Sequence, residues 1–331
     1  MTVSGLLLVM LIMMASHSEA PVKADQWAPK STAVAPQTAR GDAILQLLKA
    51  NYVHPADVTK VEGAIRVLEE RHSGLDDESY ARVMGPKLSE LLRDRHLLLE
   101  YSRRPIAEKK IAQSTEPDAA TKAKAEEFAR RVNYGLTEVK VLDGNIGYLR
   151  IDGFLPPNVA GEALGSAMES LRHTRGLVID LRESVNGGDP RMVALLCAYF
   201  IPDTGKLLTT ISWRQKHEQE SRIPELDRAK VYSPNAPVYV LTSRKTFSAG
   251  EELAYNLKVL NRAKLIGEPT GGGANPGSEF RVSDHLSLFI PEGQAINATT
   301  GSNWNWTGVT PHERINPSKA LERTLQKLAV R

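Results

Sequence analysis

Val238-Tyr239-Val240-Leu241-Thr242, then the polar loop Ser243-Arg244-Lys245-Thr246-Phe247-Ser248, then a helical pattern from Ala249 to about Leu260, decides how this chain is read. The first five residues are β-branched, aromatic or aliphatic throughout, which predicts a buried strand. The loop turns the chain, and Ser248 stands at the first turn of the helix that follows. The N–H groups there have no partner inside the helix, and the helix dipole adds positive potential. That environment favours an oxyanion forming beside a serine hydroxyl. The same residues also suit a plain helix cap. Serine is a preferred N-cap, and Glu251, three residues on, completes a Ser-x-x-Glu capping box. Both readings stand on this stretch alone.

A second buried strand, Gly176-Leu177-Val178-Ile179-Asp180-Leu181, runs into Arg182-Glu183-Ser184-Val185-Asn186-Gly187-Gly188. Paired glycines let backbone N–H groups approach a ligand closely. Ligands of α/β sheets sit at the carboxyl ends of the strands. The Ala249 N–H is the first candidate oxyanion donor, and the N–H of Gly187 or Gly188 the second.

Outward from these two turns, strands and helices alternate. Short β-rich runs cover Val139–Leu142 and Ile146–Ile151, and a helix is expected from about Ala160 to Arg172. Another helix is expected from about Pro190 to Tyr199, a strand over Ala263–Ile266, a strand over Leu286–Ile290, and a last helix from about Ser318. This alternation predicts an α/β layered domain over 136–331. Residues 41–101 instead carry three amphipathic patterns, the first capped by Asp42, and predict an N-terminal helical bundle. Residues 102–135 are charged and read as a connector with an exposed helix.

The amino terminus differs from the rest. Leu6 to Met14 is a short apolar core, followed by small and polar residues and Val22-Lys23-Ala24. That pattern predicts a signal peptide over 1–24, cleaved after Ala24, and an exported, periplasmic or extracellular, protein. The core is shorter than the ~20 residues of a bilayer span, so no stable membrane span is expected. Residues 25–40 read as an unstructured lead.

Composition narrows the chemistry. The 331 residues carry 42 Lys and Arg against 39 Asp and Glu, a formal charge of +3, with no basic run interleaved with aromatics. Nucleic acid is therefore not an expected partner. The single cysteine, Cys197, lies in an apolar run and reads as a buried small residue. One cysteine cannot form an internal disulfide, and neither CxxC nor HExxH occurs, so no metal and no cofactor are expected. A serine nucleophile needs a base. Of the histidines beyond residue 24, only His96, at the helix-to-strand junction Asp94-Arg95-His96-Leu97, lies in a segment that the patterning anchors.

Several separated segments together resemble the tail-specific protease family (peptidase family S41), in the branch that includes the interphotoreceptor retinoid-binding protein repeats. They are Asp94-Arg95-His96-Leu97, Gly144-Asn145-Ile146-Gly147-Tyr148-Leu149, Asp180-Leu181-Arg182 with Asn186-Gly187-Gly188, and Thr246-Phe247-Ser248-Ala249-Gly250-Glu251. Gly267-Glu268-x-Thr270-x-Gly272-Gly273 and Asn303-Trp304 before Gly308-Val309-x-Pro311 complete the set. The resemblance covers about residues 41–320. It implies a ClpP/crotonase-like spiral core behind the helical bundle, without a PDZ domain. It implies a serine-type peptidase acting on peptides or proteins, with Ser248 as nucleophile, His96 as base, and Ala249 with Gly187 or Gly188 as oxyanion donors.

Two departures from the family pattern bear on the mechanism. Members with a Ser–Lys dyad carry lysine 25 residues after the serine, and that position here is Gly273. Members that use Ser, His and Glu carry the acid in Asn-Trp-Glu-Gly, and here Asn303-Trp304 is followed by Asn305. An amide can orient an imidazole but cannot stabilise the imidazolium by charge. Glu251 or Glu252 is the alternative candidate for the acid, although Glu251 already has the capping-box explanation. The departures also leave open a catalytically weak or inactive member that binds peptides or apolar ligands in the same cleft. A hydrolase of another class, such as an esterase, is the third reading.

Overall fold

The structure, a computed structural model, describes residues 39–107 and 119–329. The expected signal peptide and nearly all of the expected lead lie outside the described residues, as does 108–118 of the connector. The described chain divides into two compact units, one of residues 119–276 and 293–329, the other of 39–107 and 277–292.

The larger unit is α/β, as the alternation predicts. It contains α4 (Ala119–Arg131), β2 (Glu138–Leu142), β3 (Ile146–Arg150), α5 (Pro157–Leu171), β4 (Gly176–Asp180) and α6 (Pro190–Ala198). Next come β5 (Leu207–Trp213), β6 (Gln219–Arg222), β7 (Val238–Thr242), α7 (Ala249–Val259) and β8 (Lys264–Gly267). It closes with β11 (Gly293–Asn297), β12 (Glu313–Arg314) and α8 (Pro317–Ala329). Six strands form one sheet in the order β12-β8-β7-β4-β3-β2, parallel except for the β2 edge.

Alternate side chains along these strands enter two different cores. Leu149, Leu177, Ile179, Val238, Val240 and Leu265 pack with α5, α6 and α7 on one face. Tyr148, Val178, Tyr239, Leu241 and Ile266 pack with Ala320 and Leu328 of α8 on the other. A central strand covered on both faces must be apolar at every position, which is why β4 and β7 read as continuous runs. Each fully buried aliphatic side chain contributes about 1.5–3 kcal/mol relative to exposure. Cys197 lies fully buried in the first core, as expected, and burial pushes its thiol pKa up.

A second sheet of this unit, β11-β5-β6, is antiparallel and was not foreseen. Its strands carry polar side chains at most positions, such as Thr209 and Thr210 in β5 and the whole of Gln219-Glu220-Ser221-Arg222, so no hydrophobic run announces them.

The smaller unit holds α1 (Ala39–Asn51), α2 (Pro55–His72), α3 (Asp77–Leu92), β1 (Leu98–Tyr101), β9 (Gly277–Arg281) and β10 (Leu286–Pro291). The three helices bury Ile44, Leu48, Ile65, Tyr80, Met84 and Leu88 with Leu286 and Leu288 of β10. Asp42 lies inside α1 instead of capping it, because the helix begins at Ala39. Asp76 caps α3, accepting the Ser79 N–H at 2.9 Å. Expected within the 136–331 segment, β9 and β10 instead form the sheet β1-β10-β9 with the strand after His96. Sequence patterning cannot foresee that return, because strand partners are chosen by side chains distant in the chain. No helix among the described residues is long and apolar enough to cross a membrane.

Candidate active site

β4 and β7 are adjacent and parallel, so the loops leaving their carboxyl ends lie side by side. They are also stapled together. Thr246 Oγ1 donates to the Leu181 carbonyl at 2.8 Å, Ser243 Oγ to the Arg182 carbonyl at 2.5 Å, and the Phe247 N–H to the Ser184 carbonyl at 2.9 Å. Polar side chains that looked like ordinary loop residues thus fix one turn on the other.

Ser248 begins α7 with φ 53° and ψ −118°. A non-glycine residue with positive φ outside the usual left-handed well costs on the order of 1–3 kcal/mol, and such strain collects at functional sites. A sharp strand-to-helix turn of this kind lifts a serine hydroxyl out of the sheet edge. Ser248 is half-buried. A plain N-cap needs extended backbone and no strain, so the conformation weighs against capping as the whole account of this serine.

Gly187 abuts it. A Cβ added to Gly187 would lie 2.9 Å from the Ser248 Cβ and 3.0 Å from its Oγ, and the glycine has φ +58°. Gly188 is held by the backbone of Phe154, whose N–H donates to the Gly187 carbonyl at 3.1 Å and whose carbonyl accepts the Asp189 N–H at 2.8 Å. That pairing turns the Gly188 N–H to the opposite side. Among the described residues, no protein acceptor takes the N–H of Gly187, Gly188 or Ala249. Asp189 then caps α6, accepting the Arg191 N–H at 2.8 Å, with Pro190 at the first helical position.

Glu251 is fully buried and takes four donors. Its Oε2 accepts the Ser248 N–H at 3.0 Å and the Gly273 N–H at 2.8 Å; its Oε1 accepts the Gly272 N–H at 2.6 Å and the Thr270 hydroxyl. Burial pushes its pKa up to about 7, against the pull of those donors. Glu252 is turned elsewhere, accepting the Thr209 hydroxyl at 2.9 Å, and burial also pushes it to about 7. Both carboxylates are engaged by these donors, which counts against either one as the substitute acid. The capping-box pattern had signalled one arm of the Glu251 network, the bond to Ser248. The other three donors come from a glycine-rich loop with no sequence sign of its role.

That loop also meets the separate segment that carries Asn305. The Trp306 N–H donates to the Gly272 carbonyl at 2.8 Å, and the Trp304 indole N–H to the Gly273 carbonyl at 3.0 Å. Trp306 has φ +65°, and the Asn305 N–H donates to Asn303 Oδ1 at 3.0 Å. Ser248, Gly187, Gly188, Ala249 and Asn305 therefore belong to one unit and to one connected set of loops. Gly273 leaves no room for a side chain as Phe247 is placed: an added Cβ there would lie 2.2 Å from the Phe247 ring. Phe247 fills the space that a longer side chain at 273 would need to leave.

His96 belongs to the smaller unit, at the turn before β1. It is buried, its N–H donates to Asp94 Oδ1 at 3.1 Å, and its ring centre lies 5.8 Å from that of Phe289. Among the described residues, no group of three or more His, Cys, Asp and Glu side chains is arranged to hold a metal ion.

Comparison with known proteins places this arrangement. The profile of peptidase family S41 matches residues 145–315, half of the chain. The carboxyl-terminal-processing peptidase 2, chloroplastic, of Arabidopsis thaliana is 30% identical over 175 residues, 52% of this chain and 32% of that protein. The chain thus spans about a third of that curated relative's length. Among solved structures, a protein of Parabacteroides merdae ATCC 43184 superposes with a TM-score of 0.61 at 17% identity, over 89% of this chain and 97% of that one. Mature CPAF gives 0.55 at 11% identity, over 88% and 96%. The tricorn protease gives 0.54 at 14% identity, over 88% of this chain and 36% of its own. At such identities the structures show a shared fold. With the profile match across half its length, the chain belongs to peptidase family S41.

Proposed function

We propose that this protein is a serine-type peptidase that transfers the acyl group of a peptide bond to water through Ser248. The observation that carries the reading is the strained Ser248 backbone with Gly187 pressed against its side chain. His96 takes the hydroxyl proton as Ser248 Oγ attacks the carbonyl carbon. The Ala249 N–H and that of Gly187 or Gly188 hold the oxyanion, and the imidazolium then protonates the leaving amine. Water, deprotonated by the same imidazole, releases the acid product and restores the serine. Asn305 orients the imidazole. His96 and Asn305 enter from the family resemblance. With an amide where relatives place a carboxylate, turnover is expected to be slow. The Gly-Asn-Ile-Gly-Tyr-Leu segment supports placement in the interphotoreceptor retinoid-binding protein-like branch. The apolar segment before Ala24 supports export, which a mature chain beginning at Asp25 in the secreted fraction would establish.

The test is labelling by a fluorophosphonate probe, with Ser248→Ala as the control, followed by digestion of a peptide library. Labelling that depends on Ser248, with peptide cleavage, is the expected result. Labelling without cleavage points to an esterase. A folded protein that does not label is a binder of peptides or apolar ligands, and the peptidase reading falls.

A further inference from the structure

Glu251 does more than close a helix cap. Its side chain touches both the nucleophile's backbone and the 270–273 loop, and the Gly272 carbonyl of that loop holds the segment that bears Asn305. Three of its four donors are backbone N–H groups, which can only donate: Ser248, Gly272 and Gly273. The fourth, the Thr270 hydroxyl, can turn round and accept. Thr270 Oγ1 already accepts the Val309 N–H at 2.7 Å and has a second lone pair. A proton arriving on the carboxyl group therefore has one place to go, Oε1, donating to Thr270 Oγ1. Oε2 then keeps Ser248 and Gly273 as a neutral carbonyl acceptor, while the Gly272 N–H faces a hydroxyl oxygen in place of a carboxylate. Gly272 is the residue whose carbonyl holds the Trp306 N–H.

We propose that Glu251 is a positioning residue whose ionised carboxylate locks the Ser248 backbone to the 270–273 loop and the Asn305 segment, and whose protonation at Oε1 releases the Gly272 limb. This rests on the reading of Ser248 as a nucleophile. Burial and its own donors act on the carboxyl group, and none of those donors is charged. Glu252, its neighbour on α7, is turned to Thr209 and acts on Cys197. Because the buried acid titrates near 7, the lock opens and closes in the range where a peptidase works. A displacement of about 1 Å at a nucleophile costs on the order of 100-fold in rate.

The test separates the lock from the chemistry. In the full chain labelled with 15N-glycine, the amide resonances of Gly272 and Gly273 are followed from pH 5 to 8.5, and fluorophosphonate labelling is timed at pH 8. The two glycine amides are expected to titrate together with a midpoint near 7, and to stop doing so in Glu251→Gln. Glu252→Gln should leave that titration in place. Thr270→Val removes both a donor to the charged form and the acceptor of the Oε1 proton, and should shift the midpoint or abolish the joint titration, which keeps the test open if Glu251→Gln does not fold. Glu251→Gln is expected to label about 100-fold more slowly at pH 8. If the protein labels but the glycine amides do not titrate, or titrate equally in Glu251→Gln, the lock is refuted and the nucleophile stands. An unmoved midpoint in Thr270→Val refutes it as well. If the amides titrate as described but nothing labels, the lock stands and the peptidase reading fails.

Discussion

In the interior of the six-stranded sheet, contacts run from side chain to side chain. Leu149, Ile179 and Val240 meet Leu164, Leu196 and Leu253, and every one of them is buried apolar surface. At the carboxyl edge of the same sheet the contacts run from backbone to backbone. Gly187 meets Ser248, Phe247 meets Ser184, Gly272 meets Trp306, and one buried carboxylate collects what is left. The interior is fixed by volume, the edge by the direction of N–H groups and by missing side chains. A substitution in the interior should cost stability and spare reactivity; one at the edge should do the reverse.

The largest effect should come from the interior. Leu164 on α5 is completely buried. Leu164→Ala is expected to lower unfolding free energy by about 2–5 kcal/mol, through lost transfer energy and the cavity left behind. Denaturant melting measures this, and the probe-labelling rate of the folded fraction should stay within about twofold, the scatter of distant and uncoupled sites. A large loss of labelling in folded Leu164→Ala would mean that interior and edge are not separable.

Next in size is an effect of pH. Glu252 sits beside Thr209 in the interior, with its pKa raised by burial from 4.5 to about 7. The unfolded chain ionises this group above pH 4.5, while the folded chain keeps its proton up to about 7. The folded state therefore binds more protons in that window, and stability falls as pH rises through it. The contribution is present below about 4.5 and lost above about 7, and amounts to about 3 kcal/mol at 1.36 kcal/mol per unit. Glu252→Gln should flatten the fall in midpoint temperature between pH 5 and pH 8. A curve as steep as that of the unchanged protein would remove Glu252 from the account and leave Glu251 as the source.

At the edge, Gly187→Ala inserts a methyl group against Ser248 and forces a positive φ on alanine. The left-handed conformation costs roughly 1–2 kcal/mol. Fluorophosphonate labelling should fall by about 100-fold, as expected for a nucleophile or oxyanion donor moved by about 1 Å. The comparison breaks if Gly187→Ala unfolds the protein as Leu164→Ala does, or labels at the unchanged rate.

The difference between interior and edge also sets what the sequence can show. The strands β2, β3, β4, β7 and β8 and the helices packed on them were legible because apolar runs and 3.6-residue periodicity are recorded in the residues themselves, while the two-residue edge strand β12 is too short to leave such a record. Ser248 was legible because strand, polar loop and helix start follow one another in the chain. The sheet β11-β5-β6 was not, because polar residues fill more than half of it and interrupt every apolar run. Nor was the return of β9 and β10 to the strand after His96, a pairing between residues nearly 200 positions apart. Glu251 was half legible: the capping box gave its bond to Ser248, while Thr270, Gly272 and Gly273 come from a loop that only folding brings there. The place of Phe247 against Gly273 leaves no space for a side chain there, a contact that the spacing alone could not show.

The smallest effect tests the edge where it is least tidy. Ser184 is fully buried, its carbonyl holds the Phe247 N–H, and its hydroxyl has no hydrogen-bond partner among the described residues. A Cβ added to the neighbouring Gly250 would lie 2.7 Å from that hydroxyl. An unsatisfied buried hydroxyl costs about 1–3 kcal/mol, so removing it should not destabilise. Ser184→Ala keeps the backbone carbonyl that positions Phe247 and leaves a space smaller than a methyl group. Its unfolding free energy should equal or exceed that of the unchanged protein by up to about 1 kcal/mol, with probe labelling unaltered within about twofold, if the edge is governed by backbone donors alone. A loss of labelling at full stability would instead make the Ser184 hydroxyl a partner in the chemistry, and the edge would then depend on a side chain after all.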